Sequence, residues 1–252
     1  LQVTEERSES IGIIGAGPAG LACAEELRKQ NFQVTIYDRY DRSGGLLIYG
    51  IPNFKLEKYV VQRRTQLLEK SGIKFVHNFE VGKDVSLKDL RDRHDAILIS
   101  TGVYKAREIN IPGHNLKNIF PAMEFLTASN RQGLGDKVKL FDDGTLNAKG
   151  KNVVVIGGGD TAMDCVRTAI RQEAKSVKCL YRRDKENMPG SAREVQNAEE
   201  EGIEFVWLSS PAKFNGNNKV ESVEVNKIML GEPDDSGRRR PEIIKDSNYI
   251  IN

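Results

Sequence analysis

Two stretches of this chain place glycines where a phosphate chain could lie. The first is Gly15-Ala16-Gly17-Pro18-Ala19-Gly20, and the second is Gly157-Gly158-Gly159-Asp160-Thr161-Ala162. In such a turn the first glycine permits a sharp exit from a strand. The second, having no side chain, lets a pyrophosphate approach the backbone, and the third position sets how closely the next helix packs. The helix that follows offers amide N–H groups and partial positive charge to the same anion. Asp38 lies about twenty residues beyond Gly15, the interval at which an acid receives a ribose diol. A carboxylate there would repel a 2′-phosphate, so the first turn reads as a site for FAD or NAD. No acid stands at the corresponding place after the second turn, where the sequence is Tyr181-Arg182-Arg183. Guanidinium groups suit a 2′-phosphate through charge-assisted, often bidentate contacts, so the second turn reads as a site for NADP. A solvated basic strand end is the plainer alternative. Arg193, in Met188-Pro189-Gly190-Ser191-Ala192-Arg193, is a further candidate cation, or simply a charge at a helix start.

These turns need strands and helices to hold them. Apolar residues 11–14 and 153–156 lead into the two turns as strands. Helices are expected over 21–29 and 162–173, followed by strands over 33–37 and 177–181. In the first half a glycine-rich extended loop is expected over 43–52. A helix over 56–70 follows, stopped by Gly72, then a strand over 73–77, a short helix over 87–93 and a buried strand over 96–100. Residues 104–149 are mixed, with turns at Pro112-Gly113 and Asp142-Asp143-Gly144-Thr145 and a short helix over 123–129. The second half continues with a helix over 192–201, strands over 203–208 and 220–230, and a charged loop over 231–241. Gly15, Gly17, Gly20 and Cys23 recur at one constant offset as Gly157, Gly159, Ala162 and Cys165. Strands alternating with helices predict an α/β fold with a parallel sheet in each of two Rossmann-like dinucleotide-binding units.

The bulk numbers bound the partners. In 252 residues the net charge is +2, with 38% hydrophobic and 29% charged residues. That balance favours a packed core and argues against a nucleic-acid surface, and no apolar run reaches the length of a membrane span. With no visible signal peptide, the cytoplasm is the expected compartment. Cys23, Cys165 and Cys179 are widely spaced, which supports neither a disulfide framework, nor a zinc site, nor a dithiol redox centre. The three histidines show no ligand spacing. The run Arg238-Arg239-Arg240-Pro241 beside Asp234-Asp235 reads as a solvated hairpin tip. The chain opens on Leu1 and stops in what looks like an incipient strand, as a fragment of a longer protein would.

One more stretch is selective: Gly44-Gly45-Leu46-Leu47-Ile48-Tyr49-Gly50-Ile51-Pro52-Asn53-Phe54-Lys55-Leu56. Another is Gly231-Glu232-Pro233-Asp234-Asp235-Ser236-Gly237-Arg238-Arg239-Arg240-Pro241. Together with the two turns, Met163-Asp164-Cys165 and Tyr181-Arg182-Arg183, they make the whole chain resemble the small (beta) subunits of bacterial NADPH-dependent glutamate synthase. The resemblance extends to NADPH:ferredoxin oxidoreductase-like subunits and to the flavin and NADPH part of dihydropyrimidine dehydrogenase. It implies an NADPH domain inserted in an FAD domain: residues 1–112 FAD-binding and incomplete, 113–149 a crossover, 150–252 NADPH-binding and incomplete. It implies that Gly45 and Leu46 run along the flavin, that the Val81 backbone meets the adenine, and that Ser100-Thr101-Gly102 is the crossover of the FAD domain. It also implies that Pro18, Ala19, Asp160 and Thr161 border their nucleotides. Cysteines for 4Fe–4S clusters would lie upstream of Leu1, and a Gly-Asp motif closing the FAD site would lie beyond Asn252.

The implied activity is entry of electrons: hydride from NADPH to FAD, then electrons to iron–sulfur centres and on to a large subunit that makes glutamate from glutamine and 2-oxoglutarate. The cofactors carry that chemistry while the protein supplies position and electrostatics, so no catalytic side chain is expected. Three other readings stay open. The module could feed ferredoxin or a dihydropyrimidine. It could work like thioredoxin reductase, although Cys165 and Cys179 lack the spacing of a redox pair. From another class, it could be a non-catalytic nucleotide-binding assembly subunit.

Overall fold

The computed structural model describes residues 5–106, 108–233, 235, 237 and 239–252. The chain divides into two compact units, Leu1–Lys105 and Ala106–Asn252. Residues 113–149, read above as a crossover, are grouped with the second unit. Among the described residues no helix is long and apolar enough to cross a membrane.

The first unit is built on β1 (Ser10–Ile14), α1 (Pro18–Lys29), β2 (Gln33–Tyr37), α2 (Leu46–Tyr49), α3 (Lys58–Lys70), β3 (Lys74–Val76), α4 (Leu87–Asp92) and β4 (Ala96–Ile99). Its parallel sheet has the order β3-β2-β1-β4. The chain therefore moves outward from β1 to β3, then returns to the other side of β1. Ligands of open α/β sheets lie at the strand C-termini beside such a reversal. Ile13, Val34 and Ile36 from the strands meet Leu21 and Ala24 of α1 and Leu68 of α3 in one core. Pro18 opens α1 at a position where its missing N–H costs nothing. Gly72, with φ +94, follows the Ser71 cap of α3, as expected. Residues 43–52 depart from the expected extended loop. Leu47 N–H donates to Gly44 O at 2.9 Å, and the turn continues as α2. Burial of Ile48 and Tyr49 accounts for it, since a helical turn places both on the core side.

The second unit contains α5 (Ala122–Gly133), α6 (Lys139–Asp142), β5 (Asn152–Ile156), α7 (Asp160–Arg171), β6 (Ser176–Leu180), α8 (Ala192–Glu200), β7 (Glu204–Val206), β8 (Ser209–Asn215), β9 (Ser222–Pro233), β10 (Arg239–Ile243) and β11 (Tyr249–Ile251). A parallel sheet of order β5-β6-β7 repeats the first three strands of the first unit. Met163, Val166 and Ala169 of α7 pack on Val177 and Cys179 of β6 and on Val195 and Ala198 of α8, joined by Phe125 of α5. α5 outruns the expected 123–129. β8, β10 and β11 are all antiparallel to β9. Phe214, Val223, Val225 and Ile251 from this layer pack with Leu180 and with Val154 and Ile156 of the parallel sheet.

The charged loop expected over 231–241 is replaced by the ends of two paired strands, β9 and β10, with a register shift between Arg239 and Pro241. Paired backbone, rather than apolar side chains, holds this hairpin, so hydrophobic alternation could not announce it. Arg239 donates from Nε to Gly231 O and from its guanidinium to Leu230 O. Asp234, Ser236 and Arg238 of the motif lie outside the described residues.

Candidate functional site

The first unit gathers its candidates on the C-terminal edge of its sheet. Gly15 leaves β1 with φ +109, and a Cβ there would stand 2.5 Å from Ser100 O. A Cβ on Gly20 would stand 2.0 Å from Gly15 O, so α1 and β1 touch through backbone. Gly17 differs: a Cβ there would meet nothing within 4 Å. Packing does not demand that glycine. Its bareness leaves open space before the N-terminus of α1, where Pro18 and Ala19 begin a helix with no acid in its first turn.

Asp38, 8% exposed, braces the same turn. Ala16 N–H donates to its Oδ2 at 2.6 Å and Tyr40 N–H to its Oδ1 at 2.9 Å. Each carboxylate oxygen keeps a further lone pair for a hydroxyl. Gly44 N–H donates to Ala16 O at 2.8 Å. Gly45 lies so close that a Cβ on it would stand 2.9 Å from Gly17 Cα. Leu46 follows at the start of α2 and is 44% exposed. Beyond β3, Asn78 N–H and Phe79 N–H donate to Tyr40 O and Asp38 O. That segment leads to Val81, which packs with Ile14, Tyr37, Val85 and Leu90. Ser100 closes the arrangement, its Oγ within 3.1 Å of both Ile14 O and Gly15 O. Exposed Thr101 and Gly102 follow it.

The second unit repeats the turn with different supports. Gly157 has φ +149, and a Cβ on Gly159 would again meet nothing within 4 Å. Ala162, in place of the third glycine, is buried in the core. Asp160 and Thr161 are exposed at the start of α7. A Cβ on Gly158 would fall 2.4 Å from the Tyr181 ring, so that tyrosine lies against the turn. The two arginines part company. Arg182 is exposed. Arg183 is 8% exposed, and its Nε donates to Arg239 O at 2.9 Å. The expected pair of phosphate-reading arginines is therefore split: Arg182 faces solvent, while Arg183 ties the strand end to the β9–β10 hairpin. Arg193 is exposed in the first turn of α8.

Some supporting residues escaped sequence reasoning. Lys58 is buried, and its Nζ donates to Leu47 O at 3.0 Å and to Ile51 O. It places a cation near the C-terminal end of α2, where the helix dipole favours one. On an amphipathic helix a lysine reads as solvated, so nothing in the sequence signals this. In the sequence Ser100 stands only as part of the Ser100-Thr101-Gly102 crossover, and Tyr181 only as the residue before Arg182-Arg183. Cys165 and Cys179 are buried free thiols, which burial pushes up to about 12.

Comparison with known proteins agrees with this arrangement of strands and turns. The chain is 62% identical over 245 residues to a putative glutamate synthase (NADPH) small chain of Cereibacter sphaeroides, spanning 97% of this chain and 59% of that protein. It is 58% identical over 248 residues to the glutamate synthase (NADPH) small chain of Azospirillum brasilense, spanning 98% and 52%. The chain thus spans between half and three fifths of the length of these relatives. Among solved structures, FprA of Mycobacterium tuberculosis in complex with NADPH superposes with a TM-score of 0.82 at 19% identity, over 97% of this chain and 69% of that one. Thioredoxin reductase of Lactococcus lactis gives 0.60 at 21%, over 94% and 75%. At such identities the likeness is one of fold. Residues 9–234 match the pyridine nucleotide-disulphide oxidoreductase family, and the chain belongs to it.

Proposed function

We propose that this chain is the NADPH-oxidising, FAD-carrying electron-entry part of a glutamate synthase small chain acting in the cytoplasm. The observation that carries the reading is the pairing of two bare turns with opposite ribose-reading residues. Gly17 and Gly159 each leave room where a side chain would otherwise project. Asp38 stands at the first strand end and Arg182 at the second.

In this reading the first turn holds the FAD pyrophosphate, received by Gly15, Gly17, Pro18, Ala19 and Gly20. Asp38 accepts from the ribose, and Gly45, Leu46, Val81, Thr101 and Gly102 border the rest. Bound FAD supplies acceptance of a hydride from NADPH and release of electrons to iron–sulfur centres. The second turn holds the NADPH pyrophosphate on Gly157, Gly159, Thr161 and Ala162, with Arg182 and Arg193 directed to the 2′-phosphate. Arg183 contributes by fixing the strand end that carries Arg182. In this reading the 4Fe–4S clusters that take the electrons are held outside these 252 residues. The NADPH domain is inserted in the FAD domain, and the electrons reach a large subunit that reduces the product of 2-oxoglutarate and glutamine-derived ammonia.

The identities of 62% and 58% to glutamate synthase small chains favour that acceptor. The NADPH-Fe(3+) oxidoreductase subunit beta of Geobacter sulfurreducens is 34% identical. Anaerobic titration of the full-length protein tests the reading. NADPH should bleach the flavin absorption where equal NADH does not, and addition of the large subunit should make NADPH oxidation depend on both glutamine and 2-oxoglutarate. A colourless full-length protein, or a flavin that NADPH leaves oxidised, overturns it.

A further inference from the structure

Asp160 is out of place for a residue at the mouth of an anion site. It is the first residue of α7, directly after the bare Gly159. In the sister turn the same position is Pro18, and the first turn of α1 carries no acid. A free carboxylate beside a pyrophosphate would repel it, so its presence calls for a task.

Hydrogen bonding supplies one. Asp160 Oδ1 accepts the N–H of Ser191 at 2.9 Å. Ser191 is the N-cap of α8, so one side chain joins the starts of two helices. Two further bonds close the same segment on the turn. Gly190 N–H donates to Gly158 O at 3.0 Å, and Tyr181 Oη–H donates to Asn187 O at 3.0 Å. Gly190 lies so near that a Cβ on it would stand 3.0 Å from Gly158 O. Residues 187–191 therefore form a clasp over the Gly158–Asp160 backbone. Arg193 leaves the clasp two residues later, in the first turn of α8.

We propose that Asp160 is a positioning residue for nucleotide choice: through Ser191 it anchors the start of α8 and so holds Arg193 beside the turn, favouring NADPH over NADH. The inference rests on reading the second turn as the NADPH site. It gives Asp160 a role through the clasp rather than by contact with the nucleotide.

The test uses the full-length, flavin-loaded protein with ferricyanide as acceptor, and compares KM for NADPH and NADH. Asp160→Ala should raise KM for NADPH roughly tenfold, one hydrogen bond to a charged group, and leave KM for NADH within about twofold. Asp160→Asn keeps an acceptor oxygen and should restore most of the preference. Ser191→Pro removes the donor instead. Ser191 has φ −56, which a proline ring accepts, so that variant should reproduce Asp160→Ala. Equal losses for both nucleotides would make Asp160 a direct contact and overturn the proposal. So would an Asp160→Ala protein with unchanged preference, or an Asp160→Asn protein that behaves like Asp160→Ala. The underlying site reading fails separately: if Arg182→Ala leaves the preference intact, the NADPH assignment itself is wrong.

Discussion

Asp38 accepts the Ala16 N–H at 2.6 Å, so the acid just after β2 braces the Gly15–Gly17 turn as well as standing where the proposed FAD site would take its ribose. Replacing it removes two things at once. Asp38→Ala leaves the N–H groups of Ala16 and Tyr40 without their acceptor, at about 1–3 kcal/mol for the buried Ala16 donor and less for the half-buried Tyr40 donor. The expected outcome is a lower Tm together with lost flavin in the full-length protein. A variant that loses flavin but melts at the wild-type temperature would show that the carboxylate acts on the ribose alone.

Glycines in the two turns should separate into ligand-facing and packing positions. Gly17→Val and Gly159→Val add side chains where a Cβ meets no protein atom within 4 Å. They should spare the fold and empty one site each. Gly17→Val should abolish flavin retention while leaving NADPH binding largely intact, and Gly159→Val the reverse. Gly20→Ala and Gly158→Ala should instead cost stability, because their Cβ atoms would fall 2.0 Å from Gly15 O and 2.4 Å from the Tyr181 ring. Overpacking of this kind costs about 1–3 kcal/mol. Flavin content and Tm measured side by side distinguish the two classes.

The arginines divide in the same way. Arg182→Ala should weaken NADPH by roughly tenfold or more with little effect on NADH, the value of one hydrogen bond to a charged group. Arg183→Ala should mainly lower Tm, because its Nε–H···O bond to Arg239 O is lost from a buried position. Isothermal titration with NADPH and NADH, paired with melting curves, checks both. Equal weakening of the two nucleotides by Arg182→Ala would count against a 2′-phosphate contact.

Local pattern made the two parallel sheets legible, because each turn announces its own strand and helix. Ile11 to Ile14 and Val153 to Ile156 are apolar runs that end in glycine, and the observed β1 and β5 follow them. Pairings that depend on distant chain were not legible. β8 carries Pro211 and a register shift, so its sequence has no clean alternation. β10 begins in an arginine run whose place in a strand depends on β9. The same limit governs the sites. Glycine spacing announces which backbone is bare, but the direction of Arg183 is set by a hairpin more than fifty residues away. The Lys58 amine is set by carbonyls of a turn that itself was not expected. Side-chain direction follows tertiary contacts, and residue type alone does not carry it.

The second unit should show an acid-sensitive join between α7 and α8. Arg167 pairs with Glu194 at 2.7 Å and with Glu201 at 2.7 Å, and Arg171 also reaches Glu201 at 2.6 Å. Burial alone would push the Glu201 carboxyl up, but hydrogen bonds from Arg171 and Arg167 outweigh it and hold it at about 2. Its folded value lies below the ordinary value of about 4.3. The stabilisation is therefore complete above that pH and is lost as pH falls toward 2. Glu201→Gln should lower Tm by a few degrees at pH 7, a modest effect for a partly solvated pair. The gap to wild type should close as the pH approaches 2. A gap that stays constant with pH would assign the loss to packing.

The thiols test the dithiol alternative directly. A redox cysteine must present a thiolate to its partner or substrate, which calls for a lowered pKa and access. Cys165 and Cys179 have neither: both are buried, and burial pushes both thiols up to about 12. At pH 8 their thiolate fraction is on the order of one in ten thousand, and the surrounding core excludes reagent. Native-state alkylation with iodoacetamide, read by peptide mapping, should therefore leave both unmodified while partly exposed Cys23 reacts. Full labelling should appear only after unfolding. Electron transfer in the full-length protein should accordingly survive the native treatment at these two positions. Rapid modification of Cys165 or Cys179 with parallel loss of NADPH oxidation would instead argue that a thiol takes part in the transfer.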